Sequence, residues 1–155
     1  MVTGEGPALD DLRRRAAAAG IGDSVYFVGY LDRARELPDC YAAADVFVFA
    51  SRTETQGLVL LEAMAAGLPV MALSAMGTSD ILDPGRGCFS PPDDAVLFGQ
   101  ALGRFLAEPG AWADIGREAA AYAAEWSDEA MARRLAALYQ DLRGTGKVRG
   151  HARTA

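Results

Sequence analysis

Histidine and lysine are nearly missing from this chain of 155 residues: it holds one of each, His151 and Lys147, both in the C-terminal tail. Without a histidine before residue 151, neither a Ser–His triad nor a His-ligated metal can be assembled in the core. Without a lysine in the body, the late-sheet lysine of a phospho-receiver domain is absent too. Cysteine is scarce. Cys40 and Cys88 stand far apart, form no CxxC pair and have no histidine nearby. They read as two small apolar thiols, buried in a reducing compartment. Basic charge is in deficit, 15 Lys plus Arg against 21 Asp plus Glu for a net charge of −6, which argues against nucleic acid as a partner. The opening MVTGEGP is neither signal nor transit peptide, so a cytoplasmic location is expected. The longest apolar run, Gly57 to Met76, is broken by Gly67 and Pro69 after about ten residues, whereas a membrane span needs about twenty. No transmembrane segment is expected; the run reads as a buried helix followed by a buried strand.

What is present is hydrophobic. At 51% apolar residues the chain can bury a core as one domain, hiding roughly two-thirds of its unfolded surface. Strands and helices alternate along it. Val2-Thr3 reads as the tail of a strand, stopped by Gly4-Glu5-Gly6. Pro7 then occupies the first turn of a helix that runs to Gly20, acids early and arginines late. A strand is expected over Ser24 to Val28 and a helix around Leu37 to Ala44. Asp45 to Ala50 lacks polar alternation, as a strand covered on both faces would. The helix carrying Glu62 follows, then a strand at Val70 to Leu73, a short helix near Thr78 to Leu82 and a short strand near Cys88 to Ser90. Helices over Asp94 to Leu106, Trp112 to Ala124 and Asp128 to Leu142 complete a domain of residues 1–142. A disordered tail is expected over 143–155.

This alternation implies parallel βαβ units with right-handed crossovers, hence an α/β, Rossmann-like, doubly wound parallel sheet. Such sheets bind ligands beyond the carboxyl ends of their strands. That rule selects the loops Gly4 to Pro7, Gly29 to Asp32 and Ser51 to Gly57. Glu54 lies in the last, and Glu62, eight residues on, lies in the helix that follows.

Glu62 is the only ionisable side chain between Thr55 and Ser79. A carboxylate amid so much Leu, Val, Met and Ala is costly unless fixed partners satisfy it. In Ser51-Arg52-Thr53-Glu54-Thr55-Gln56-Gly57-Leu58, Thr55 is expected as the helix N-cap, and Gly57 as a point where a ligand approaches the backbone. Free amides and the helix dipole suit a phosphate. Glu54 suits a hydroxyl or a developing positive charge, and Glu62 the vicinal diol of a ribose. Phosphate, diol and sugar hydroxyls together describe a nucleotide sugar. Each residue taken singly has a plainer reading: a helix start that is only a cap, a solvated loop acid, a carboxylate at a solvent-facing helix edge. Gly4-Glu5-Gly6-Pro7-Ala8-Leu9 is a poor dinucleotide fingerprint, because Leu9 occupies the third glycine position.

The segment DVFVFASRTETQGLVLLEAMAAGLPVMA, with Glu54, seven residues and Glu62, closely resembles the retaining glycosyltransferase family 4, the "group 1" transferases of GT-B fold. VTGEGPALDDLRRRAAAAG and VYFVGYL resemble the preceding elements of that family, and the resemblance covers about residues 1 to 142. It implies the donor-binding C-terminal half of a transferase that moves a hexose from a nucleotide-diphosphate sugar to an acceptor. Glu54 would then contact the transferred sugar and stabilise its oxocarbenium-like transition state, and Glu62 would hold the ribose diol. Amides around Gly57 and Leu58 would hold the diphosphate, Thr55 and Gln56 would line the sugar pocket, and Gly29-Tyr30-Leu31 would lie near the nucleobase. No metal and no cofactor beyond the donor are implied.

Glu-Thr-Gln-Gly-Leu, where many members have Gly-Phe-Gly after the glutamate, is similar to a variant in glycolipid-forming members and points to a lipid acceptor. Peripheral membrane association of the parent protein would accompany that. The Ala75 to Asp80 loop departs from the family pattern, and no role is carried over to it. Relative to the family, the expected N-terminal acceptor domain and first strand of the donor domain precede Met1. That strand would sit between those at Thr3 and Val46. This implies a truncated gene product, inactive alone, half of a split transferase, or a stand-alone nucleotide-sugar-binding or interaction module. A gap in the sheet predicts self-association.

Overall fold

The structure, a computed structural model, describes residues 1–146 and divides into two compact units, Met1–Ala43 and the chain from Ala44 onward.

The first unit holds β1 (Val2–Thr3), α1 (Leu9–Ala18), β2 (Phe27–Gly29) and α2 (Glu36–Ala42). β1 and β2 are parallel, with Val2 opposite Phe27 and Thr3 opposite Gly29. α1 has Asp10 and Asp11 in its first turn and Arg15 in its last, and Arg15 Nε donates to Asp11 Oδ2 at 2.7 Å. Gly20, at φ +70°, follows its end. Two expectations shift. Pro7 stands in a turn before the helix, whose N-cap is Ala8. Ser24 closes a 3₁₀ turn over Gly22–Ser24 instead of opening a strand, because Gly-Asp-Ser favours a turn.

The second unit holds β3 (Phe47–Phe49), α3 (Leu58–Ala65), β4 (Val70–Ala72), α4 (Ser79–Leu82), β5 (Cys88–Phe89), α5 (Ala95–Leu106), α6 (Trp112–Ala124) and α7 (Asp128–Gly146). Its three strands run parallel in the order β3-β4-β5, with Phe47 opposite Val70 and Val70 opposite Cys88. β4, hydrogen-bonded on both sides, is wholly buried. β3 lies at an edge, and Val48 remains 43% exposed, so the expectation of a strand covered on both faces does not hold. With a neighbour on one side only, β3 has one strand's helices to shield it where β4 has two. The parallel strands lie in two sheets, β1-β2 and β3-β4-β5.

Leu60, Met64, Val70, Met71 and Ile81 are fully buried and form the centre of this unit's core. Burying each contributes about 1.5–3 kcal/mol. α3 packs against α6. Gly116 of α6 abuts the Gly67 carbonyl just past the end of α3, and Gly87, before β5, abuts the Ala119 backbone of α6. α5 begins where Asp94 Oδ1 accepts the N–H groups of Val96 and Leu97, both at 2.9 Å. α7 continues to Gly146, past the expected boundary at Leu142. The remainder of the expected tail, with Lys147 and His151, lies outside the described residues. Among the described residues no helix is long and apolar enough to cross a membrane.

Candidate functional site

The carboxyl ends of β3, β4 and β5 open into three loops, residues 50–57, 73–78 and 90–94. Glu54 sits in the first, half-buried. Its Oε1 accepts the backbone N–H of Gln56 at 2.9 Å and of Gly57 at 3.0 Å. Those bonds, Gln56 first and Gly57 second, hold its carboxyl below the usual range. Glu54 is therefore a fixed anion at neutral pH, with Oε2 outside both bonds.

This corrects the expected cap. Thr55 is not the N-cap of α3; Gly57 is, in the left-handed region at φ +72°, and no side chain caps it. The loop instead closes through the Glu54 carboxylate. Gly57 is buried, and a Cβ there would meet Ile81 Cδ1 at 2.5 Å, so its smallness serves packing within the unit. The Gly57 amide, expected to hold a phosphate, is occupied by Glu54. The amide of Leu58, first residue of α3, lies beyond that pair. Thr55 and Gln56 are exposed, as is Leu58 at 51%. Glu62, the fifth residue of α3, is half-buried and is not without a partner.

Three ties join these loops. Gly77 N donates to the Glu54 carbonyl at 3.1 Å, and Gly77 passes so close to the Thr55 carbonyl that no Cβ fits. Ser74 N donates to Ser90 Oγ at 3.1 Å. Arg52 forks onto Asp93, Nε to Oδ2 and Nη2 to Oδ1, each at 2.7 Å. The loop after β4 is further braced by Thr78, fully buried, whose hydroxyl accepts from Ala75 N at 2.9 Å and reaches the Leu73 carbonyl at 2.8 Å. Between them, Met76 holds φ +51°, the one positive φ at a non-glycine among the described residues, with its side chain 62% exposed.

The sequence reading missed Arg52, Ser74, Gly77, Ser90 and Asp93. The carboxyl-edge rule that selected the loop at Glu54 also selects the loops after β4 and β5, and the signal was there to use. Gly29, Tyr30 and Leu31 belong to the first unit. Gly29, at φ +70°, accepts the Gly4 N–H at 2.7 Å, which joins the loops after β1 and β2. Tyr30 is 70% exposed and Leu31 half-buried. Among the described residues no cluster of His, Cys, Asp and Glu could hold a metal ion.

Comparison with known proteins places the chain. The family described as "Glycosyl transferases group 1" matches residues 1–108. The chain belongs to the group 1 glycosyltransferases. It is 37% identical over 137 residues to D-inositol 3-phosphate glycosyltransferase 2 of Catenulispora acidiphila, covering 85% of this chain and 32% of that protein. It is 34% identical over 144 residues to the lipopolysaccharide core biosynthesis mannosyltransferase LpsB of Rhizobium meliloti, covering 88% and 40%. Over 72 residues it is 47% identical to the alpha-monoglucosyldiacylglycerol synthase of Streptococcus pneumoniae, covering 46% and 16%. Among solved structures, sucrose-phosphate synthase from Thermosynechococcus elongatus matches with TM-score 0.72 at 29% identity, covering 90% of this chain and 35% of that one. Anabaena HepE in complex with UDP and glucose matches in fold, with TM-score 0.74 at 23% identity, covering 90% and 39%. The chain thus spans about a third of the length of the Catenulispora acidiphila transferase and of the sucrose-phosphate synthase. Its α/β fold of parallel sheets is that of GT-B glycosyltransferases.

Proposed function

We propose that this group 1 chain forms the donor-binding part of a retaining glycosyltransferase that moves a hexose from a nucleotide-diphosphate sugar to an acceptor. The observation that carries this reading is the pairing of Glu54 with Glu62. One is an ionised carboxylate fixed at the carboxyl edge of a parallel sheet; the other is a carboxylate in the apolar helix that starts there. Glu54 stabilises positive charge developing on the sugar through its ionised carboxylate. Glu62 accepts from the ribose hydroxyls. Leu58 N–H, at the positive end of α3, faces the diphosphate, and Thr55 and Gln56 border the sugar. The likeness to a synthase of alpha-monoglucosyldiacylglycerol supports a lipid acceptor for the whole enzyme.

Calorimetric titration of the chain with UDP-, GDP- and ADP-glucose tests the donor site. Binding of at least one is expected, and Glu62→Ala should abolish it while the melting curve stays cooperative. No binding by any of the three, or equal affinity after Glu62→Ala, overturns the reading.

A further inference from the structure

Arg52 is the only cationic side chain in the three loops, residues 50–57, 73–78 and 90–94, at the carboxyl edge of β3-β4-β5. Of the three ties between those loops, its fork onto Asp93 is the one made by charged side chains, and both partners face solvent, at 69% and 54% exposure. It links the loops of the two outer strands past the end of β4. An exposed ion pair contributes little to stability, because water and salt screen it and two side chains must be held in register. Planar guanidinium presents the same two parallel N–H donors to a phosphate as to a carboxylate. The other two ties, Gly77 N–H to the Glu54 carbonyl and Ser74 N–H to the Ser90 hydroxyl, hold the loops without Arg52, so its release from Asp93 does not dismantle the edge.

We propose that Arg52 is an exchangeable latch, whose two N–H donors pass from Asp93 to a phosphate of the ligand. Asp93 is then a built-in competitor that occupies the arginine when no phosphate is present. This rests on the donor reading above. It adds a phosphate contact from the same loop that carries Glu54, two residues away.

The sign of one substitution separates a latch from a structural strap. With inorganic pyrophosphate as the probe, Asp93→Asn should bind roughly two- to fivefold more tightly than the unaltered chain, the worth of an exposed ion pair. Arg52→Ala should bind about tenfold more weakly, the loss of a charge-assisted contact. Melting temperatures of both variants should stay close to that of the parent. Weaker binding by Asp93→Asn, equal binding by all three proteins, or no pyrophosphate binding overturns the latch. Parallel titration with UDP-, GDP- and ADP-glucose keeps the two ideas apart. The predicted order with pyrophosphate but no binding of any nucleotide sugar retains the latch and removes the donor reading. Nucleotide-sugar binding with no change between variants does the reverse.

Discussion

Gly77 donates its backbone N–H to the carbonyl of Glu54 at 3.1 Å and lies against Thr55 with no space for a Cβ. The loop after β4 thereby fixes the backbone of the residue proposed to face the sugar. Gly77→Ala forces the two loops apart, at an overpacking cost of about 1–3 kcal/mol. Urea unfolding of the variant should show a lower midpoint with an unchanged slope. A midpoint equal to that of the parent would show that the loops do not approach so closely.

Met76, the neighbour of Gly77, predicts a change of opposite sign. A left-handed conformation costs a non-glycine residue about 1–2 kcal/mol, and glycine gives back about 0.5–1 kcal/mol through its greater unfolded freedom. The side chain is exposed, so little packing is lost. Met76→Gly should therefore stabilise the chain by roughly 0.5–1 kcal/mol, read from the same urea midpoint. Destabilisation instead would mean that the Met76 side chain contributes packing.

The Glu54 carboxylate sets a pH dependence. Its pKa in the folded chain is depressed by the N–H groups of Gln56 and Gly57. Stabilisation from a depressed acid is complete above its unfolded pKa, about 4.3, and is lost as pH falls through the lower folded value. The stability difference between the chain and Glu54→Gln should be level from neutral pH down to about pH 5 and shrink at more acidic values. Carbon-detected NMR titration of the Glu54 carboxyl should place its midpoint below the ordinary glutamate range. A midpoint at or above that range would contradict the two amide contacts.

Elements with local signals were legible. Asp94 after Pro91-Pro92 marks the start of α5, and Trp112–Ala124 is helical with the expected bounds. Glu62 stands out in the sequence because a lone charge in an apolar stretch has a cost that composition reveals, and Glu54 because its loop follows a strand's carboxyl end. The start of α3 was misread. Thr55 looks like a cap by residue type, but Gly57 takes the left-handed turn and the longer Glu54 side chain reaches the amides first. Arg52–Asp93 and Glu54–Gly77 were not legible, since their partners are distant in sequence and no propensity encodes such a contact. Val48 shows the same limit in β3: hydrophobicity along a strand does not say whether a helix lies over it.

The two cysteines should differ sharply in reactivity. Burial, with a lesser push from the Glu118 charge, raises the Cys88 thiol to about 11, so its thiolate is scarce at neutral pH. Cys40 is half-buried. Iodoacetamide at pH 8 should modify Cys40 first and reach Cys88 only when denaturant is added, as followed by peptide mass spectrometry. Equal rates in the folded chain would place Cys88 at the surface.

Where α6 meets the rest of its unit, Gly87 abuts Ala119 and Gly116 abuts the carbonyl of Gly67. Side-chain volume is therefore a shared allowance between segments more than thirty residues apart in the case of Gly87 and Ala119. Drift at one of these positions is permitted only when the other shrinks or the helix shifts. Across descendants of this sequence the sizes at 87 and 119 should vary inversely, and a helix transplanted from a distant relative should be accepted only together with its own glycine.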